Sequence, residues 1–425
     1  MRPGAWIPSF AQAATLLAAF THTTLSAATE RRQTEAAGAA YVAVQTAAVA
    51  ALEAAPPTEP APGPALVSLS ADGAMVPLVG KGQWAEVKTL AVGEVQPAVW
   101  EQDKLVVHTT RVSYFSRLTD AARFTRLALV ETQRRGVPGA GTVVAVTDGA
   151  LWLQEFIAYH RPDAVRVLDW CHAVGYLGQV ATACFGAATD AATQWLAVQT
   201  QELLEGDPAV VLGKLQGWID ELTPQATTLA TAATKLAAVT TAFQYLQPRG
   251  AALQYATFRA LGYPIGSGTV ESANKLVVEA RLKGAGMHWA RAHVDGRVAL
   301  RTIVCSDRWE EAWPQIVREL RQQAQAQAAH QRQARRVRHQ TAQSARLPAA
   351  ARPPAAPVPP PRPACEPACV LELPSGRHDE AWLSPPTGTL AEATTATVPR
   401  RPAATHVWRR GHDARRPQPA AATVH

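Results

Sequence analysis

Gly141-Thr-Val-Val-Ala-Val-Thr-Asp148-Gly149 is the stretch on which the fold turns. A run of Val, Thr and Ala with no polar break reads as a buried strand, and an Asp-Gly pair directly after it makes the chain leave that strand at an acid. A helix is expected before it, from about Asp120 to Arg135. Another follows from Leu151 to Tyr159, and then a further strand, Ala164-Val-Arg-Val-Leu168. Strands joined through helices in this way add in parallel. Upstream lie three short apolar runs, Leu66–Ser70, Ala85–Val92 and Leu105–Val112, joined by Gly- and Pro-containing connections and expected to pair antiparallel. The order β-β-β-α-β-α-β predicts a mixed α/β sheet.

Residues 1–55 read as helical, in two stretches. Ser9–Phe20 carries an apolar stripe, and a second helix starts near Ser26 with Thr29-Glu30 behind it as a capping arrangement. A helix-turn-helix and a helical hairpin packed on the core fit this pattern equally. Five prolines at 56, 57, 60, 62 and 64 make residues 56–64 a linker. Residues 65–172 hold the first part of the core. Residues 173–260, rich in Ala, Leu and Gln, read as a helical insertion, and 261–322 as the closing helices. Beyond about 323 the composition falls to Gln, Ala, Arg and Pro, so 323–425 is expected to be a disordered Pro/Ala/Arg-rich tail.

The chain has 425 residues, 47% of them hydrophobic, ample for a sizeable core. Its net charge of +7 is unevenly placed: from Arg318 onward there are 16 Arg, no Lys and 7 acids, a balance of +9, and the preceding body carries −2. Any electrostatic footprint for nucleic acid is therefore weighted to the tail, where the Arg332–Arg338 run would at most hold phosphate nonspecifically. Five cysteines without paired metal-ligand spacing suggest neither a disulfide framework nor a zinc site, Cys365 and Cys369 included. No signal peptide and no stretch of about 18 consecutive apolar residues is evident, so the expected location is a reducing cytoplasm, away from the membrane.

Acids at strand ends are the chemistry-bearing feature. Asp72, after Leu66–Ser70 and before Gly73, repeats the grammar of Asp148-Gly149. Singly, each Asp-Gly is more often a turn than a site. The third element is Gly262-Tyr-Pro-Ile-Gly-Ser-Gly-Thr-Val-Glu271-Ser-Ala-Asn-Lys275, a small-residue lead-in with an acid in the first turns of a helix. Such an acid is also favourable against the helix dipole without any further role. Three carboxylates converging from a sheet edge and a facing helix can hold the divalent ions of phosphoryl transfer.

Four blocks, Asp148-Gly-Ala, Leu168-Asp-Trp-Cys-His-Ala173, Tyr255–Lys275 and Arg281-Leu-Lys-Gly-Ala-Gly-Met-His-Trp289, resemble in order and spacing those of the ISKra-type insertion-sequence transposases, relatives of the Mutator-like DDE transposases. The resemblance covers roughly residues 9–318. It implies a ribonuclease-H-like catalytic core interrupted by a helical insertion before the glutamate. Asp72, Asp148 and Glu271 would be the catalytic acids and the ligands of two Mg²⁺ or Mn²⁺ ions. Asp148, Asp169 and Glu271 form a rival triad, and Asp169 and His172 are secondary candidates whose role is either structural or in contact with metal or DNA. Asn274, Lys275, Arg281, Lys283, Trp289 and Arg291 are the candidate DNA contacts.

Cleavage of the element's ends and strand transfer into target DNA by a homo-oligomer are what the resemblance implies. A late start and an unplaceable tail fit a truncated or decayed copy of the element, and equally a wrongly chosen start. Two other readings are a DNA-binding remnant without activity and a ribonuclease-H-like nuclease that does not join strands.

Overall fold

A computed structural model describes residues 2–346 apart from Pro8, Pro57 and Asp103. The element order opens with helices α1 (Arg2–Trp6), α2 (Phe10–Thr21) and α3 (Ala27–Ala54). Strands β1 (Leu66–Pro77), β2 (Trp84–Val95), β3 (Val99–Glu101), β4 (Lys104–Val106) and β5 (Thr109–Arg117) follow, then α4 (Ala121–Arg134), β6 (Thr142–Thr147), α5 (Leu151–His160) and β7 (Val165–Leu168). One five-stranded mixed sheet runs β5-β2-β1-β6-β7, with β1–β2 and β2–β5 antiparallel and β1–β6 and β6–β7 parallel. The mixed α/β expectation holds, and so does each helix between strands.

Alternation along β1 explains how the sheet is covered. Val67, Leu69 and Ala71 face a core made with Leu90, Val92, Phe115 and the apolar sides of α4 and α5, including Phe124 and Phe156. On the opposite face, Ala74 and Val76 meet Val270, Val277, Val294 and Val298. Val144, Val146 and Val167 on that same face meet the helices α6 (Trp170–Phe185), α7 (Asp190–Glu205), α8 (Pro208–Ala226) and α9 (Ala230–Leu246). A strand buried on both faces needs the near-continuous apolar run from which β6 was read.

Two strand boundaries differ from expectation. β1 does not end at Asp72 but runs on to Pro77, with Asp72 opposite Thr89 and Gly73 opposite Lys88. Gly73 is not a turn glycine. It makes room, because a Cβ there would collide with the Glu86 carboxylate across the ladder. The third strand lies at Thr109–Arg117, and Leu105–Val106 belongs instead to a separate hairpin with Val99–Trp100. The buried pair Tyr114 and Phe115, on opposite faces of the sheet, was the stronger signal.

The N-terminal pair takes the hairpin alternative. Ser26 caps α3, accepting from the Thr29 amide at 3.1 Å, and the helix lays Ala37, Ala40 and Tyr41 against α13 (Arg291–Cys305) and α14 (Trp309–Arg346). By length and composition α3 is apolar enough to cross a membrane, which the sequence reading did not anticipate. Its contacts are those of a helix packed within a globular fold.

The linker is exposed yet moored, with the Gly63 amide on the Gly139 carbonyl at 2.8 Å. Helix continues through residues 323–346, where a disordered tail was expected. Gln, Ala and Arg bury no core but are good helix formers. The rest of that expected tail, residues 347–425, lies outside the described residues, as do Cys365 and Cys369.

Where α3 crosses α13, Gly38 and Gly296 touch through their backbones, and a Cβ on Gly38 would collide with the Gly296 carbonyl. Gly38→Val should therefore destabilise the fold by about 2–3 kcal/mol through overpacking. Urea denaturation of the two proteins checks this, and an unchanged midpoint would mean that the helices do not meet there.

Candidate functional site

Strand register brings the acids together. Leu69 of β1 lies beside Ala145 of β6, and Thr147 of β6 beside Leu168 of β7. Continuing both registers places Asp72, Asp148 and Asp169 in one row across three adjacent strands. Neighbours in a row point to the same side of a sheet. Here that is the side covered by the segment carrying Glu271.

That segment is one continuous helix in three parts: α11 (Gly268–Ala273), a π-helical stretch Asn274–Glu279, and α12 (Ala280–Leu282). Two contacts tie it to the strand ends. The Asn274 side-chain amide donates to Asp72 Oδ2 at 2.9 Å. The Ser267 backbone amide donates to Asp169 Oδ1 at 2.6 Å, and Ser267 Oγ donates to Glu271 Oε1 at 3.3 Å.

Asp169 is fully buried (0% exposed). Its second oxygen accepts from the His172 amide at 3.0 Å, capping α6, and lies 2.8 Å from His172 Nδ1. Burial pushes its carboxyl up, but the bonds from His172 and Ser267 together outweigh this and hold it below the usual carboxylate range. Every oxygen of Asp169 thus has a protein partner. Its geometry is that of a positioning group and disfavours the rival triad.

Asp72 is the opposite case. Partial burial, and after it the neighbouring negative charges of Asp148 and Glu86, push its carboxyl up to about 6 against the pull of the Gly73 amide and His172. His172, half exposed, is raised chiefly by its bond to Asp169 and further by the charges of Asp169, Asp148 and Asp72. Cys171 is pushed up to about 11 by burial and by Asp169 and Glu271, so it stays a thiol. Five acids, Asp72, Glu86, Asp148, Asp169 and Glu271, and His172 share this region.

Asp148 is held through its backbone. The Ala150 amide donates to its Oδ1 at 2.9 Å, Tyr245 OH donates to its carbonyl, and Arg249 donates to the Gly149 carbonyl at 2.8 Å. Tyr245 stacks on Tyr176 with ring centroids 3.9 Å apart, and the Arg249 guanidinium lies 4.2 Å from the Tyr245 ring. Gly149 does turn the chain, at φ 79°, and a side chain there would strike Arg249. Tyr255 OH donates to the Leu168 carbonyl at 2.8 Å. The helices after β7 therefore grip the ends of β6 and β7. Tyr245, Arg249 and Tyr255 were missed from sequence because nothing in their local pattern separates them from core aromatics.

The remaining sequence candidates divide by exposure. Lys275, Lys283 and Arg291 are exposed, Lys283 beside Glu279 at 2.7 Å. Asn274 is buried and spent on Asp72, so it is not free for phosphate. Arg281 is 2% exposed beneath the rings of Phe10 and Trp289, and Trp289 donates its indole N–H to the Leu282 carbonyl at 2.9 Å. Trp289 also bonds by its backbone to Pro77 and Val79, so it extends the sheet edge and does not offer a stacking face to DNA.

Oxygen donors of this kind suit a hard divalent cation. Among the described residues, no group of three or more His, Cys, Asp or Glu side chains stands close enough to hold one ion jointly. Joint ligation requires the carboxylates to draw in, and Glu271 has the longest reach. The donor set fits in kind, since a cation would offset both the burial and the charge of Asp148 that raise Asp72. No family model matches the chain, and no curated protein matches it.

Asp72 supplies a test of this electrostatic picture. With a folded pKa of about 6 against an ordinary value of 3.8, its charge disfavours folding above pH 6, and that penalty fades as pH falls from 6 towards 4. In EDTA at pH 7.5, Asp72→Asn should be more stable than the parent by about 2 kcal/mol, with the gap shrinking between pH 6 and pH 4. Denaturant titrations across that range measure it. A gap independent of pH would contradict the assignment.

Proposed function

We propose that this chain is a DDE-type insertion-sequence transposase, similar to the ISKra-type and Mutator-like enzymes, with a ribonuclease-H-like core and Asp72, Asp148 and Glu271 as its catalytic acids. One observation carries the reading: strand register sets Asp72 and Asp148 side by side, and the helix bearing Glu271 is tied to Asp72 through Asn274. The element order supports it as well. Three antiparallel strands, two parallel strands added across helices, and a block of helices before the glutamate are what the resemblance implies. Choosing Asp72 over Asp169 rests on their partners, because Asp169 has spent both oxygens on the protein.

Asp72, Asp148 and Glu271 would hold two Mg²⁺ or Mn²⁺ ions. When bound, such ions activate the attacking oxygen and stabilise the leaving one in an in-line displacement. The protein's own contribution is positioning. Asn274 orients Asp72, Ser267 orients Glu271, and Tyr245 with Arg249 holds the turn that carries Asp148. His172, half exposed and cationic when protonated, adds a positive group beside these acids. No covalent protein–DNA intermediate is required. Transposon ends and target DNA are the partners, a homo-oligomer is the working assembly, and the bacterial cytoplasm, with the nucleoid, is the place of action.

The test uses full-length protein with Mg²⁺ or Mn²⁺ and labelled duplexes ending in candidate inverted repeats. Nicking and strand transfer are expected, lost about a thousandfold or more in Asp72→Ala, Asp148→Ala and Glu271→Ala. Asn274→Ala should cost about 10–100-fold, as orienting partners of metal ligands do. Binding without nicking would leave a DNA-binding remnant, and nicking without transfer a nuclease.

A further inference from the structure

Behind the helix that carries Glu271 lies a second charged cluster that the catalytic reading does not use. Arg281, Arg297 and Arg301 are 2%, 4% and 6% exposed. Glu35 is the carboxylate set against them, 2.6 Å from Arg297 Nη2 and also 3.5 Å from His293. Arg281 has no ion-pair partner among the described residues. Arg301 spends its terminal nitrogens on the backbone carbonyls of Trp6 and Leu276. Arg281 Nη2, Arg297 Nε and Nη1, and Arg301 Nε are buried donors without an acceptor.

Aromatic rings close over the cations. The Phe10 ring centroid is 4.6 Å from the guanidinium carbons of both Arg281 and Arg297, that of Trp289 is 5.3 and 4.3 Å from the same two, and that of Trp6 is 5.7 Å from Arg301. Stacking attracts a cation but accepts none of its N–H bonds, so it offsets only part of the desolvation of three guanidiniums. Planar N–H forks from several arginines are the chemistry that receives a phosphate.

Phe10 and Trp6 belong to α2 and α1. These helices bury Ala5, Ala13 and Ala14 but leave Trp6, Leu16 and Phe20 largely exposed. Elements with so little buried apolar surface open at low cost.

We propose that Arg281, Arg297 and Arg301 form a phosphate-binding site, with α1 and α2 as its cover and Phe10 as the group that the ligand displaces. The ligand is a phosphate group, either a free anion or a phosphodiester. This site needs neither the carboxylates nor a metal ion, so it stands or falls separately from the transposase reading.

Thermal melting of the full chain in EDTA tests it, with inorganic phosphate or a short DNA duplex compared against chloride at equal ionic strength. Phosphate should raise the melting temperature of the parent and of Asp72→Asn alike. Phe10→Ala, with its cover loosened, should bind several-fold more tightly, and Arg281→Met should lose the response. A rise with inorganic phosphate that Arg281→Met loses assigns the free anion, and a rise with the duplex alone that Arg281→Met loses assigns the phosphodiester. A duplex response that Arg281→Met keeps belongs to DNA bound elsewhere and counts against the site. No rise with either in both parent and Phe10→Ala overturns the proposal, as does an undiminished response in folded Arg281→Met. If Arg281→Met does not fold, the comparison of Phe10→Ala with the parent decides, and equal or weaker binding in the variant counts against the site.

Discussion

A carboxylate shut away from water must take its hydrogen bonds from the protein, and Asp169 takes them from two places far apart in the chain. His172 supplies a backbone amide and a ring nitrogen from the first turn of α6, and the Ser267 amide comes from the loop that enters the glutamate helix. One side chain thereby joins the end of β7, the start of the α6–α9 helices and the segment bearing Glu271. Losing one partner of a buried charge costs several kcal/mol, so these three pieces cannot separate without heavy penalty. The rest of the site is arranged around this junction.

Around it the acids take two characters. Asp169 is held low by donors on both oxygens, whereas Asp72 is raised by burial and by Asp148. Environments that push neighbouring carboxyls apart are a mark of sites where charge is meant to be used. Here Asp169, with donors on both oxygens, builds the scaffold, and Asp72 lies beside the charge of Asp148 with burial outweighing the donors it has.

How much of this was legible in the sequence depended on whether a signal was local. The β6 run with its Asp-Gly end, the caps Asp120 and Ser26, and the helices between strands could be read because each is written in a few adjacent residues. Asp72 was singled out on strand grammar that the structure corrects: the strand does not end there, and its Gly serves a cross-strand neighbour 13 residues on. Asn274 and Arg281 were taken for surface contacts because helix polarity says nothing about which way a tertiary neighbour lies. Tyr245 and Tyr255 escaped notice, since a hydroxyl bonding a carbonyl almost a hundred residues earlier leaves no mark on its own neighbourhood.

The π-helical stretch at Asn274–Glu279 has a geometric consequence for chain length. Upstream of it the helix faces the strand ends through Glu271 and Asn274, and downstream it faces the aromatic pocket through Arg281. A π turn closes on i→i+5 bonds, so this stretch takes in each residue at less than the about 100° of an α-helix, and its two ends keep the facings that an α-helix one residue shorter would give them. The wide turn works as a phase coupler between two surfaces. The number of residues from Glu271 to Arg281 is thus tied to the type of helix between them, one residue fewer calling for a plain α turn, independently of what most of those residues are.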